Sequence, residues 1–322
     1  MKHPAILRVF AAIAGMLPAL AAAQAFPAKP IRMIVAFPAG GGTDIVGRMI
    51  ATRLGVALGQ PVVVENRAGA DGILGTEIAA KSPPDGHTLF LGTAGNLAIN
   101  PALYGKLPFD IARDFAAVTQ VVSVDMMLTI HPSLPVKTVS ALVALAKARP
   151  GELNYASTGT GGIPHLAMEL FNHTAGTKIV HIPYKGGAPA LADLTGGHVP
   201  MMVQSMVQGL AIVKAGKLRA VGLLSPKRAA LLPDVPAVSE TLPGCDATNW
   251  FGLVVPANTP AAIHKRIHEE VVKLLRSAEL KEQLIAQGAE PVGSTPEQLA
   301  AFMKSETAKW ARVIREANIR KD

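Results

Sequence analysis

Two glycine-rich stretches hold most of the residues whose types and spacing could do chemistry. "AFPAGGGTDIVGR" (36–48) sets Gly40, Gly41 and Gly42 ahead of Thr43 and Asp44. "YASTGTGGIPHLAMEL" (155–170) interleaves Ser157, Thr158 and Thr160 with Gly159, Gly161 and Gly162, then reaches Pro164 and His165. Glycine lets the backbone adopt positive φ and approach a ligand closely. A helix start adds unpaired N–H groups and the positive end of a dipole. The chemistry on offer is therefore anion binding by backbone and hydroxyl donors. Thr43 or Asp44 would cap the first helix, and Pro164 suits the first turn of the second. Asp44 and Arg48 are spaced i,i+4 and can pair, which keeps the carboxylate from repelling an anion.

Other chemistries fit poorly. A dinucleotide fingerprint needs a third glycine where this chain has Ile45 or Pro164, and no Gly-Lys-Ser/Thr phosphate loop occurs. There is no G-x-S-x-G nucleophile elbow and no H-E-x-x-H. His165, His173 and His181 recur every eight residues, a spacing that no helix or strand turns into one metal face. Cys245 is the single cysteine; it lies in a connection and allows no intrachain disulfide. "HIPYKGGAPALADLTGGHV" (181–199) offers Tyr184 and Lys185 as a donor and a positive charge for a carboxylate.

Strand–loop–helix units must position these loops. "IRMIVAF" (31–37), "PVVVENR" and "HTLFLGT" (87–93) read as strands, with helical periodicity at 44–58 and 73–81. Strands alternating with helices predict parallel βαβ units in an α/β sheet. The pattern restarts with "MMLTIHPSLP" (126–135) and a helix over 138–148. "LNYAS", a helix over 163–175, "KIVHIPY", "HVPMMVQS" and "LRAVGLL" follow. "WFGLVVP" (250–256) reads as a last strand, before helices at about 260–276, 278–286 and 296–317. The Pro-rich passage at 233–250 predicts a return of the chain to the first lobe. The domain expectation is residues 26–126 plus 248–322 as one discontinuous lobe and 127–247 as the other.

The first 25 residues read differently. Lys2 and Arg8 precede an apolar stretch from Val9 to Leu20, and Ala23-Gln24-Ala25 fits the small-x-small cleavage rule, with Ala21-Ala22-Ala23 fitting nearly as well. The run falls short of the roughly 20 residues a membrane span needs, so residues 1–25 are expected to be a cleaved signal peptide directing export to the periplasm. The formal net charge of +8 comes from 31 basic and 23 acidic residues spread without a dense basic block. That argues against a nucleic-acid partner and favours encounter with small anions.

Taken in order, "FPAKPIRMIVAFPAGGGTDIVGRMIA", "VVVENRAGADGILGTEIAAKSPPDGHTL", "NPALYGKLPFD", "YASTGTGGIPHLAMELF", "IPYKGGAPALADLTGGHV", "GKLRAVGLLSPKRAALLPDVPAVSE", "NWFGLVVPANTP" and "GAEPVGSTPEQLA" resemble the periplasmic solute-binding proteins of tripartite tricarboxylate transporters, the Bug proteins. The resemblance runs over nearly all of the chain beyond the leader. It implies a two-lobed type II periplasmic binding protein, each lobe a central sheet flanked by helices, closing on a ligand like a flytrap. The implied ligand is a small organic carboxylate, a di- or tricarboxylate or an aromatic acid.

The resemblance further implies that loops Pro38–Asp44 and Ser157–His165 hold the carboxylate, with the segments around Thr93–Asn96 and Tyr184–Gly187 facing the cleft. The ligand-binding residues expected are Phe37, Pro38, Gly41, Gly42, Thr43, Asp44, Thr93, Asn96, Ser157, Thr158, Gly159, Gly161, His165, Tyr184, Lys185, Gly186 and Gln204. Gln204 stands where family members often have Asp, which would disfavour an amine-bearing ligand if it faces the cleft. Trp250 could either stack on an aromatic ligand or pack at the lobe crossing. No catalytic residue, metal or cofactor is expected. The expected partners are a carboxylate and, transiently, membrane transporter subunits, with the protein itself a monomer. The alternative function is a periplasmic sensor that presents bound ligand to a signalling receptor.

Overall fold

The computed structural model describes residues 26–316 and 319; the expected signal peptide lies outside them. Two mixed sheets carry the architecture. The first holds β1 (Ile31–Val35), β2 (Val62–Asn66), β3 (Thr88–Thr93), β4 (Phe115–Val124), β10 (Asn249–Pro256) and β11 (Ala289–Pro291), in the order β11-β4-β10-β3-β1-β2. The second holds β5 (Met126–Ile130), β6 (Asn154–Ser157), β7 (Val180–Pro183), β8 (Met201–Ser205) and β9 (Arg219–Leu223), in the order β7-β6-β8-β5-β9.

Helices cover both sheets. Around the first lie α1 (Gly42–Leu58), α2 (Ile73–Ala80), the short α3 (Asn100–Leu103) and α4 (Ile111–Asp114), α9 (Ala261–Arg276), α10 (Ala278–Ala286) and α11 (Pro296–Glu316). Around the second lie α5 (Val139–Ala148), α6 (Ile163–Ala175), α7 (Gly187–Thr195) and α8 (Met206–Lys214).

The local reasons are ordinary. Along α1, Val46, Ile50, Leu54 and Leu58 recur every four residues and are all buried, which gives one apolar stripe. Gly59, in the left-handed region at φ 76°, ends that helix. β3 is buried at every position; it pairs parallel with β1 and antiparallel with β10, so it has no solvent face and needs no polar alternation. Each fully buried Val, Leu, Ile or Phe contributes about 1.5–3 kcal/mol over its exposed state.

Two features depart from the sequence reading. The parallel βαβ expectation holds for β1–β2, β1–β3, β6–β7 and β6–β8, but β10 runs antiparallel between β3 and β4, and β5 antiparallel between β8 and β9. Two strands also have no counterpart among the expected ones. β4, "FAAVTQVVSV", is mostly apolar with Thr, Gln and Ser interspersed, and its neighbours lie far away in sequence at β10 and β11. β11 is only three residues long, so "WFGLVVP" is not the last strand.

The chain passes between the sheets twice, side by side. Asp125 alone separates β4 from β5. The return runs from Leu224 to the start of β10, where Asn249 pairs with Val124. Leu224 N–H donates to Met126 O and Met206 N–H donates to Asp125 O, so the crossings are tied to each other and to the start of α8. Trp250 packs here. Its ring is buried edge-on to Phe302, and its indole N–H donates to Glu306 Oε2; it serves the crossing rather than a ligand.

Candidate functional site

A small cavity of about 50 Å³ lies where the two sheets face each other. Four helices begin at its wall: α1 with Gly41, Gly42 and Thr43; α6 with Gly162, Ile163 and Pro164; α7 with Gly187; α8 with Ser205 and Gln208. None of the four has a side-chain hydrogen bond capping its first turn. In α1 the first intrahelical bond runs from Ile45 N–H to Gly41 O, and in α6 from Leu166 N–H to Gly162 O. The N–H groups of Gly42, Thr43 and Asp44, and those of Ile163 and His165, precede those bonds and are the orphan donors of a helix start. Four positive dipole ends on one cavity favour negative charge. Among the described residues, no Asp, Glu, Lys, Arg or His lines it, so the positive potential there comes from backbone.

The sheets meet through glycine. A Cβ on Gly186, at φ +116°, would stand 2.5 Å from Pro38 Cδ; one on Gly159 would stand 2.4 Å from Asp71 Oδ1, and one on Gly161 2.6 Å from Leu103 Cδ2. These contacts join the β1–α1 loop, the turn at Asp71 and α3 to the opposite sheet's loops. The enclosed space suits a few waters at roughly 10–15 Å³ each. It is too small for a nucleotide unless the lobes part.

Six of the residues expected at a ligand stand at the cavity wall: Phe37, Gly41, Gly42, Thr43, Thr93 and Thr158. The others lie behind or beside it. Asp44 does not cap α1, and neither does Thr43; the N-cap position is Gly41. The Asp44 carboxylate instead accepts from Gly40 N–H at 2.9 Å, Arg48 Nε at 3.0 Å and Asn66 Nδ2 at 2.9 Å. Burial works against its charge, but these hydrogen bonds and the Arg48 guanidinium outweigh burial and hold the carboxyl below its ordinary range. Asp44 thus shapes the loop and is neutralised in doing so. Asn96 Oδ1 accepts from both the N–H and the hydroxyl of Thr93, fixing that residue from within.

The second loop is braced from below. Ser157 Oγ accepts from Gly159 N–H at 3.1 Å, bonds Gly159 O at 3.0 Å and lies 2.6 Å from His181 Nε2. Gly161 N–H donates to His165 Nδ1 at 3.1 Å, which places the proton of a neutral His165 on Nε2. The His165 and His181 rings stack with centroids 4.1 Å apart, and Tyr155 stacks on the other side of His181 at 5.1 Å. Burial, with the His181 ring next to it, pushes the His165 pKa down to about 3. His165 is therefore a fixed acceptor at ordinary pH.

Tyr184, Lys185 and Gln204 sit elsewhere than expected. The Tyr184 hydroxyl donates to Asp193 Oδ2 at 2.6 Å, and Lys185 is exposed; neither lines the cavity. Gln204 is buried in β8, where its Nε2 donates to Thr129 Oγ1 at 2.9 Å, and it is absent from the cavity wall. Sequence reasoning missed Ser205, Gln208, Asn249, Met126 and Phe251 at that wall. The one local signal was "QSMVQ", a strand running straight into a helix through a serine, the residue type that favours such a boundary. Cys245 is buried, and burial pushes its thiol up to about 12, leaving it protonated and unreactive.

A larger cavity among the described residues, about 810 Å³, lies outside this cleft, between the α3–α4 segment and α11. Its wall is largely apolar and no convergent helix starts open onto it, so size alone does not mark the site.

Comparison with known proteins agrees with the fold. A family model described as "Tripartite tricarboxylate transporter family receptor" (TctC) matches residues 46–319. Protein BugT of Bordetella pertussis (strain Tohama I) is 40 % identical over 314 residues, covering 97 % of this chain and 96 % of the relative. A Rhodopseudomonas palustris protein solved with adipate superposes with a TM-score of 0.90 at 34 % identity, covering 92 % of this chain and 99 % of that one. MatC from the same organism, with bound malate, gives 0.86 at 30 % identity, covering 90 % of this chain and all of that one. The family model describes a receptor, and the two solved structures share this chain's two-lobed α/β architecture. With the family model spanning most of its length and a relative aligned nearly end to end, the chain belongs to the TctC family of tripartite tricarboxylate transporter receptors.

Proposed function

We propose that this protein is an extracytoplasmic solute-binding protein that captures a small organic carboxylate between its lobes and delivers it to the membrane subunits of a tripartite tricarboxylate transporter. The lobes are residues 26–126 with 248–322, and 127–247, joined at the paired crossings. The observation that carries the reading is the convergence of four uncapped helix starts on a cavity wall without charged side chains. Backbone N–H groups and hydroxyls then hold the carboxylate. The adipate and malate in the related structures support a dicarboxylate over an aromatic acid. Export to the periplasm follows from the expected signal peptide together with the family. Among the described residues no helix is long and apolar enough to cross a membrane.

The test is a thermal-shift screen of the protein against C4 to C6 dicarboxylates, citrate, aromatic acids, glutamate and aspartate, with a sugar phosphate and a nucleotide as contrasts. A ligand at 100 times its dissociation constant stabilises by about 2.7 kcal/mol, and a dicarboxylate should do so. A shift with the phosphates alone would reject the carboxylate reading.

A further inference from the structure

We propose that Asn249 is a direct ligand contact, its side-chain NH2 group donating a hydrogen bond to a carboxylate oxygen of the solute at the floor of the cleft. This rests on the reading of the cleft as a carboxylate site and adds a binding residue to it. Asn249 stands at the cavity wall. Its Oδ1 accepts from the backbone N–H of Trp250 at 2.9 Å. A backbone N–H can only donate, so the amide atom facing it must be the oxygen. The orientation of the carboxamide is thereby settled, and Nδ2 is turned away from that bond. Nδ2 has no hydrogen-bond partner among the described residues, and it is not one of the buried polar atoms left without one. It is an accessible, unengaged donor.

The strand aims the side chain at the cleft. Successive residues of a strand point to opposite faces. Along β10, Asn249 and Phe251 both stand at the cavity wall, while Trp250 between them packs edge-on to Phe302 of α11 on the other face. Asn249 also pairs with Val124, one residue from Asp125, where the chain first crosses between the sheets. The donor therefore sits beside the crossings, at the inner end of the cleft. Its chemistry differs from that of the other polar side chains at the wall. The hydroxyls of Thr43, Thr158 and Ser205 can donate or accept. Gln208 brings no NH2 group, because its Nε2 is buried. With its oxygen committed to Trp250, Asn249 can only donate, which matches an ionised carboxylate, a group that only accepts.

The experiment is titration calorimetry with succinate, malate and adipate on the wild-type protein, Asn249→Asp and Asn249→Ala, with a thermal melt of each protein alone. Asn249→Asp keeps an oxygen for the Trp250 N–H and turns the free donor into a second, charged acceptor. It should melt close to the wild-type protein, yet bind the diacid more than about 100-fold more weakly, because donation is lost and like charges meet. Asn249→Ala removes the donor without adding charge. It should weaken binding roughly 10- to 100-fold, the range expected of a hydrogen bond to a charged group. A role confined to holding Trp250 predicts the opposite pattern, with Asp tolerated and Ala lowering only the melting temperature. A loss of less than about fivefold in either folded variant overturns the contact; should Ala fail to fold, Asn249→Asp alone decides by the same limit. A wild-type protein that binds none of the three diacids overturns the site reading itself, which is a distinct outcome.

Discussion

The brace under the second loop has a definite pH signature. His165 accepts the Gly161 N–H through Nδ1 and is buried against His181. A proton on Nδ1 would face that N–H donor, and the folded protein resists it: burial, then the adjoining His181 ring, lowers the His165 pKa to about 3. In the unfolded chain the same imidazole titrates near 6.5. Between these values the unfolded state binds the extra proton, so stability rises with pH and is lost on acidification. From pH 7.5 to pH 5 the His165 contribution falls by roughly 2 kcal/mol, and by pH 3 by roughly 4–5 kcal/mol, at about 1.36 kcal/mol per pKa unit. Other titrating groups act on the same scale, so the informative quantity is a difference between proteins. His165→Asn keeps an acceptor for Gly161 N–H and removes the titration. Urea unfolding at pH 7.5 and pH 5, extrapolated linearly, should show the wild-type protein losing about 2 kcal/mol more than the variant over that interval. Equal losses in the two proteins would mean that folded His165 takes up a proton in that range and would refute the argument. His165→Leu orphans the Gly161 N–H and should lose about 1–3 kcal/mol at every pH.

Three other outcomes follow from the geometry. Gly186→Ala adds a methyl that would stand 2.5 Å from Pro38 Cδ across the cleft; at an overpacking cost of about 1–3 kcal/mol in the closed form, calorimetry should show ligand affinity weakened by roughly fivefold or more, and a change under twofold would contradict the contact. Glu306 Oε2 accepts from the indole N–H groups of both Trp250 and Trp310 at 3.1 Å, so Glu306→Leu leaves two buried donors unpaired and should destabilise by roughly 2–5 kcal/mol in denaturant melts. Asp44→Ala strands Gly40 N–H, Arg48 and Asn66; it should cost about 1–3 kcal/mol of stability and weaken ligand binding through the misplaced β1–α1 loop, read by a melt and a titration side by side.

What the sequence disclosed was local. The glycines at 40–42 and 159–162 announce helix starts whose N–H groups are free, because the signal and the structure lie within a few residues of each other. Ser205, Gln208 and Asn249 reach the same cavity only through strand pairing between distant segments, and nothing in their neighbours betrays it. Tyr184 and Lys185 stand away from the cavity wall for a related reason. They flank a glycine turn that does meet the opposite lobe, yet their side chains leave it, one to Asp193 and the other to solvent. His165 and Ser157 belong to the 157–165 loop but do not line the cavity; both support the loop's backbone from behind the wall. β4 escaped notice because its partners, β10 and β11, lie far away in sequence.

The central claim is that backbone N–H groups at converging helix starts hold the carboxylate of a small diacid. A crystal structure of the protein grown with adipate or malate tests it most directly. One carboxylate is expected within about 3 Å of N–H groups in the first turns of α1 and α6. A diacid seated in the apolar groove against α11, or held in the cleft without contact to those N–H groups, would contradict it.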